Sequence, residues 1–190
     1  ILTSQGLFTA KVILSNEKWF KYKIVWEKSK PTNFLNAKRQ PLRKHEDICV
    51  FYQKQPIYNP QMSEGSSYDK GVRKNQTGSY GDFCPVHVQS NGSRYPTDII
   101  YFKTAESESE RNVWHPTQKP VAFFEYLIKT YTEEGDLVLD NVAGSGTTGT
   151  ACQNLNRNYI LIEKEPEYVE ICKERLKNNK EERKDDKQNN

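Results

Sequence analysis

Three glycines, Gly144, Gly146 and Gly149, spell G-x-G-x-x-G inside the stretch "DLVLDNVAGSGTTGTACQNLNRNYILIEKEPEY". Glycines at this spacing let a chain turn sharply under a strand and bring backbone N–H groups close to a ligand. The surrounding letters read as strand, glycine turn, helix, second strand and then an acid, Glu163. That is a βαβ unit with a nucleotide-type cofactor at the carboxyl edge of its strands. A carboxylate there can accept hydrogen bonds from both hydroxyls of a ribose. NAD enzymes and S-adenosylmethionine enzymes share this geometry. Asp140 favours the methyl donor: it ends the first strand, where it would repel a pyrophosphate and suit a sulfonium or ammonium group. No lysine stands in the Walker position, which excludes a P-loop. A glycine turn that only packs helix on strand is the bland alternative.

The elements holding this loop extend outward from it. Residues 137–139 are a short apolar run, expected as a buried parallel strand. A helix follows the loop to about residue 154, then a strand at 159–162 and a helix from 166 to about 176. Upstream, Pro120 suits the first turn of a helix whose apolar stripe is Val121, Phe124, Leu127, Ile128 and Tyr131, and Gly135 stops it. Near the start, "GLFTAKVILSNEKWF" has helical spacing, with Leu7, Val12, Ile13 and Leu14 on one side. "YKIVWEK" (22–28) and "DICVFYQ" (47–53) are strand candidates joined by a long basic loop. From 54 to 112 neither period persists apart from the strand "DIIYF" (98–102), which predicts an irregular insert. The polar tail has no apolar face and reads as a frayed helix end running into disorder.

The charge is nearly balanced, 28 basic against 25 acidic residues, so net charge selects no partner. No apolar run approaches the ~20 residues of a membrane span. The four cysteines lack C-x-x-C spacing and read as reduced core thiols of a cytoplasmic protein. With three scattered histidines, no metal site is expected. The chain opens on Ile1-Leu2-Thr3 as though in mid-strand, which predicts a further segment upstream.

"DNVAGSGTTG" followed by "NRNYILIEKEPEYVEIC" resembles the cofactor motif of the DNA amino-methyltransferases, usually worded D-P-F-A-G-S-G-T-T or D-N-x-x-G-S-G-T-T. "HPTQKP" (115–120) resembles that family's second cofactor motif, and its upstream position is the order of the β group. "WEKSKPTNFLNAKRQPLRKHEDICVFY" resembles the stretch between catalytic motif and target-recognition region, so the resemblance covers nearly the whole chain.

The resemblance implies an α/β fold: a doubly wound, Rossmann-like methyltransferase sheet with an inserted target-recognition region. It also implies methyl transfer from S-adenosylmethionine to an exocyclic amino group of a DNA base, adenine N6 ahead of cytosine N4. A DNA-binding subunit without the chemistry is the rival of another class, and an NAD oxidoreductase stands third. The implied segments are 1–53 (part of the catalytic and target-base half), 54–112 (recognition insert), 113–178 (cofactor region) and 179–190 (tail).

By the same resemblance, Asp140, Gly144, Ser145, Gly146, Thr147 and Thr148 surround the methionine half of the cofactor, and Glu163 binds its ribose. His115, Thr117 and Lys119 close over it. In the loop 28–46, Lys38, Arg39, Arg43 and Lys44 meet phosphates, and Asn33 and Phe34 lie near the flipped base. Lys70, Arg73, Lys74 and Arg94 belong to the recognition insert. One part is absent: Asn59-Pro60, Cys84-Pro85 and Tyr95-Pro96 do not make the family's Asp/Asn/Ser-Pro-Pro-Tyr motif. No catalytic residue is therefore assigned, and N-terminal strands are expected in cis or on another chain. The expected partners are double-stranded DNA and that missing segment, with a homodimer as a further option and no membrane. The expected setting is restriction-modification in the cytoplasm.

Overall fold

The structure, a computed structural model, describes residues 1–73, 84–108, 113–115 and 117–188. Contacts divide the chain into a larger unit, Ile1–Asn59 with Asp98–Asn190, and a smaller one, Pro60–Thr97.

The larger unit opens with β1 (Leu2–Ser4), α1 (Leu7–Ser15), β2 (Phe20–Thr32) and β3 (Arg43–Phe51). Ile24, Trp26 and Lys28 are buried at every second position of β2, as a strand requires. β3 is central: it pairs antiparallel with β1, Leu2 opposite Cys49, and with β2, Ile24 opposite Ile48. Both strands run further into the basic loop than expected, because Thr32 still pairs with Arg43 across a bulge. Helix α1 forms as expected but turns a different face inward. Thr9 and Val12 are buried, while Leu7 and Leu14 are exposed.

The smaller unit corrects the expectation of irregular chain. It holds β4 (Ser63–Glu64), β5 (Tyr68–Arg73), β6 (Val86–Ser90) and β7 (Ser93–Arg94). β4 pairs with β7 and β5 with β6, both antiparallel. Short strands broken by Gly, Ser and Asn leave little periodicity to read, so pairing between strands, not local pattern, defines them.

The larger unit resumes with β8 (Ile99–Phe102), parallel to β2, completing the order β1-β3-β2-β8. Then come α2 (Ala105–Glu108) and α3 (Val121–Tyr131). Both oxygens of Glu108 accept from the first free N–H groups of α3, Val121 at 2.6 Å and Ala122 at 2.8 Å. A carboxylate placed there satisfies orphan donors and complements the helix dipole. Phe124 packs partly buried against the core cluster, while Phe123, outside the expected stripe, is fully buried in it and stacks on Trp26 with ring centroids 4.6 Å apart. Such a pair adds about 1 kcal/mol beyond its area burial.

β9 (Leu137–Asp140), α4 (Thr147–Asn154), β10 (Asn158–Leu161) and α5 (Pro166–Gln188) complete the unit. β9 and β10 are parallel, Leu137 opposite Asn158 and Asp140 opposite Leu161, which is the βαβ unit the glycine loop requires. β9 is not buried as expected. Leu137 and Leu139 are 61% and 62% exposed, because β10 is the only strand paired with it among the described residues. α5 also runs well past residue 176. Asn179 donates to Gln153 and Asn154, and Arg183 to Asn156, docking the polar helix along α4. Cys49, Cys152 and Cys172 are buried free thiols, whereas Cys84, expected in the core, is exposed. Among the described residues no helix is long and apolar enough to cross a membrane.

Candidate active site

A cavity of about 860 Å³ opens at the carboxyl end of β9, walled by β1, α1, α3, the glycine loop, His115 and residues 117–119. Asp140 closes β9. Its Oδ1 accepts the Val142 N–H at 3.0 Å and its Oδ2 the Thr148 hydroxyl at 2.5 Å, which stitches the strand end to the first turn of α4. Gly144 and Gly146 both hold left-handed φ angles, 52° and 81°, and turn the chain between them.

The glycines divide their work. A Cβ on Gly144 would meet only the His115 ring, at 3.7 Å, so that position faces the cavity with room to spare. One on Gly146 would stand 2.5 Å from Cys172 Sγ. One on Gly149 would stand 2.7 Å from a Leu161 methyl and 2.8 Å from a Leu176 methyl. Those two glycines let β10 and α5 close on the back of the loop.

Glu163 follows β10 and reaches back. Its Oε2 accepts the Gly144 N–H at 2.8 Å, and its Oε1 accepts the N–H groups of Lys164 and Glu165. Those backbone donors, Glu165 and Gly144 foremost, hold its carboxyl below the usual value. The ribose-binding acid expected from sequence therefore also cinches the loop. His115 Nδ1 accepts the Thr117 N–H at 3.1 Å, which leaves the proton of a neutral ring on Nε2. Its ring packs 4.2 Å from that of Tyr168. Pro116, within the same motif, lies outside the described residues.

Lys119 joins the cavity to the sheet. Its Nζ lies 2.5 Å from Glu46 Oε2, while Lys28 Nζ lies 3.2 Å from the other oxygen. Both ammonium groups stand over the Trp26 ring, at 5.6 and 5.9 Å. Two cations thus share one carboxylate and one indole ring. Behind the loop, Arg175 Nη1 donates to Ser145 O, Ser145 Oγ and Thr147 Oγ1. Burial lowers the pKa of that guanidinium. Gln118 Oε1 accepts from Ser145 Oγ at 3.0 Å, tying the two motifs together.

Asp140, Gly144, Ser145, Thr147, Thr148, Glu163, His115, Thr117 and Lys119 all line this one cavity; Gly146 does not. Glu46, Gln118, Tyr168 and Arg175 were not singled out from sequence. Gln118 stood inside the quoted motif. Glu46 left no local signal: it lies within β3, and its partners Lys28 and Lys119 are 18 and 73 positions away. Tyr168 and Arg175 had none, since each acts by reaching from a helix to a loop distant in sequence.

The expected DNA-facing residues lie elsewhere in the larger unit, on an arm formed by residues 30–45, where every side chain but Asn33 and Asn36 is exposed. Phe34, Lys38 and Arg39 project from its tip. Arg43 donates to Gln5, and Lys44 pairs with Glu27 at 2.8 Å, which offsets its charge. In the smaller unit, Lys70 and Arg94 stand over the Tyr68 ring at 4.8 and 4.7 Å. Arg73 ends β5, and Lys74 lies outside the described residues.

The family model described as DNA methylase matches residues 5–174. Type II methyltransferase M.BglII of Bacillus subtilis is 31% identical over 157 residues, 79% of this chain and 40% of the relative. M.HpaI of Haemophilus parainfluenzae is 42% identical over 81 residues, 43% of this chain and 26% of the relative. Among solved structures, the M1.HpyAVI–SAM complex aligns with a TM-score of 0.62 at 30% identity, covering 92% of this chain and 72% of that one. The cytosine-N4-specific PvuII DNA methyltransferase has a similar fold, with a TM-score of 0.60 at 18% identity over 87% of this chain and 55% of that one. The chain spans less than half the length of these curated relatives.

Proposed function

Because the chain belongs to the DNA methylase family, we propose that it carries the cofactor site and a DNA-facing arm of an S-adenosylmethionine-dependent DNA methyltransferase. The acceptor in this reading is an exocyclic amino group, adenine N6. The observation that carries it is the convergence of two motifs distant in sequence, His115 with 117–119 and 140–145 with Thr147 and Thr148, together with Glu163, on one cavity of about 860 Å³.

The residues fit a methyl donor of that kind. The wall carries two carboxylates, Asp140 and Glu163, against one ammonium, Lys119, which pairs with Glu46. Such a wall attracts a sulfonium or ammonium and disfavours a pyrophosphate. When bound, the cofactor supplies an electrophilic methyl group. Glu163 and the Gly144 backbone would hold the ribose end, and Asp140 with the first turn of α4 the amino-acid end. These residues orient the donor and exclude water, which is most of what a direct transfer asks of a protein.

The Pro-Pro-Tyr segment that would hold the target amino group belongs, in this reading, to a further stretch of polypeptide in cis or on another chain. What supports this is the cavity itself. β1 pairs only with β3 and β9 only with β10 among the described residues, and residues of both strands line the space. Double-stranded DNA is the proposed substrate, which makes the cytoplasm the proposed compartment; the buried free thiols support a reducing one.

The test is a methyl-transfer assay with labelled S-adenosylmethionine on the chain joined to such a segment, followed by nucleoside analysis. N6-methyladenine is the expected product. N4-methylcytosine would overturn the acceptor, and cofactor binding without any transfer would favour the non-catalytic DNA-binding subunit.

A further inference from the structure

The arm between β2 and β3 carries two adjacent large apolar side chains on its tip, Phe34 at 75% and Leu35 at 84% exposure. Neither packs on a core cluster. The tip is nonetheless built. Asn33 adopts a left-handed conformation with φ 71°, and its Oδ1 accepts from Asn36 Nδ2 at 2.8 Å. A 3-10 turn, Phe34–Asn36, follows, and the N–H groups of Asn36, Ala37, Arg39 and Gln40 all bond within it. This turn holds the two apolar side chains outward at a fixed place.

The surroundings of the tip are basic. Lys30, Lys38, Arg39 and Arg43 lie within the arm and have no carboxylate partner among the described residues, whereas Lys28 and Lys44 do. No acid occurs between Lys28 and His45. An apolar tip on an arm that carries four cations without a carboxylate partner among the described residues suits a polyanion with an apolar interior, and a stacked duplex is that. The arm also starts beside the cavity. Lys28 shares Glu46 with Lys119, which lines the cavity. Five residues of strand then reach no more than about 17 Å to Asn33.

We infer that Phe34 and Leu35 form an apolar wedge that enters the base stack of duplex DNA and takes the space of a displaced nucleotide, while Lys30, Lys38, Arg39 and Arg43 hold the flanking phosphates. The inference rests on the proposed DNA methyltransferase reading and adds the element that opens the duplex. Partial unstacking by such a side chain unwinds and kinks DNA, which is measurable without knowing a recognition sequence.

The experiment uses the chain joined to the proposed further segment, relaxed closed-circular plasmid and a topoisomerase, with the change in linking number as readout. The parent protein is expected to unwind the plasmid. The double variant Phe34→Ser, Leu35→Ser is expected to lose most of the unwinding, to bind random duplex with an unchanged slope of log K against log salt, and to melt at the parent temperature. Phe34→Trp should retain unwinding. If the folded double variant unwinds DNA like the parent, or the parent binds duplex without unwinding it, the wedge is wrong and the methyltransferase reading stands. If the parent does not bind duplex at all, both fall. If the double variant keeps unwinding but changes from dimer to monomer in sedimentation, the tip is a contact between copies and the proposal is overturned.

Discussion

Glu163 Oε2 accepts the N–H of Gly144 at 2.8 Å, so the acid beyond β10 holds the glycine turn beyond β9. One carboxylate therefore serves both the shape of the loop and the proposed ribose contact. Glu163→Ala is expected to weaken S-adenosylmethionine binding by roughly tenfold to a hundredfold, the scale of a hydrogen bond to a charged group. Glu163→Gln, which keeps an acceptor, should lose less. The folded carboxyl titrates below its usual value of 4.5. A depressed folded pKa contributes stability above the unfolded value and loses it as pH falls through the folded one. The stability that Glu163 contributes should thus be full above about pH 4.5 and fall below it, which unfolding over a pH series checks, while calorimetry checks the cofactor affinities.

Removing Glu46 leaves two ammonium groups facing each other over Trp26, one of them Lys28 with a side chain only 6% exposed. Breaking a buried pair from one side typically costs about 3–5 kcal/mol. Glu46→Ala should lower the denaturant midpoint by that scale, and adding Lys28→Met should recover much of it. Equal midpoints for parent and Glu46→Ala would show that the two lysines find water instead.

The three glycines should respond in a set order. Gly144→Ala bears only the strain of a left-handed residue, about 1 kcal/mol. Gly149→Ala must push Leu161 and Leu176 aside, at about 1–3 kcal/mol. Gly146→Ala bears both strain and a clash with Cys172 Sγ and should be the worst for stability. Chemical unfolding of the three variants gives the order directly.

Replacing Arg39 and Arg43 by Ala should reduce affinity about equally for specific and random duplexes. The slope of log K against log salt should fall by about one for each phosphate that no longer meets a cation. A weakening confined to specific DNA would make them base readers.

Among the described residues β1 and β9 each keep one unpaired edge, which leads to an expectation for the isolated chain. Residues 1–190 alone leave Ile1, Leu2, Phe8, Leu137 and Leu139 exposed around the cavity. The isolated chain should bind a hydrophobic dye, melt broadly and fail to methylate DNA. Adding a strand-bearing segment of the longer relatives' kind, fused or separate, should restore cooperative melting and activity. A sharp melt with methylation by the isolated chain would refute this.

Local pattern carried much of this architecture. The βαβ unit around Gly144, the start of α3 just after Pro120 and the strand within 22–28 were legible because each depends on residues close in sequence. The inward face of α1 and the exposure of Leu137 and Leu139 were not, because burial depends on which strand lies alongside. The strands of the smaller unit depend on pairing across gaps, as Tyr68 with Ser90. The same holds for the site. The loop residues came from a contiguous motif, while Glu46 and Arg175 act across 73 and about 30 positions respectively and left no local trace.

Cys172 stands directly behind Gly146, closer than a methyl group would allow, and burial raises its thiol pKa. The sulfur is therefore sealed for as long as the loop keeps its turn. Each excursion that lifts the loop from α5 uncovers a thiol that alkylating reagents can trap. The modification rate of Cys172, set against that of exposed Cys84 in the same molecule, becomes a clock for loop opening, and a bound cofactor should slow it.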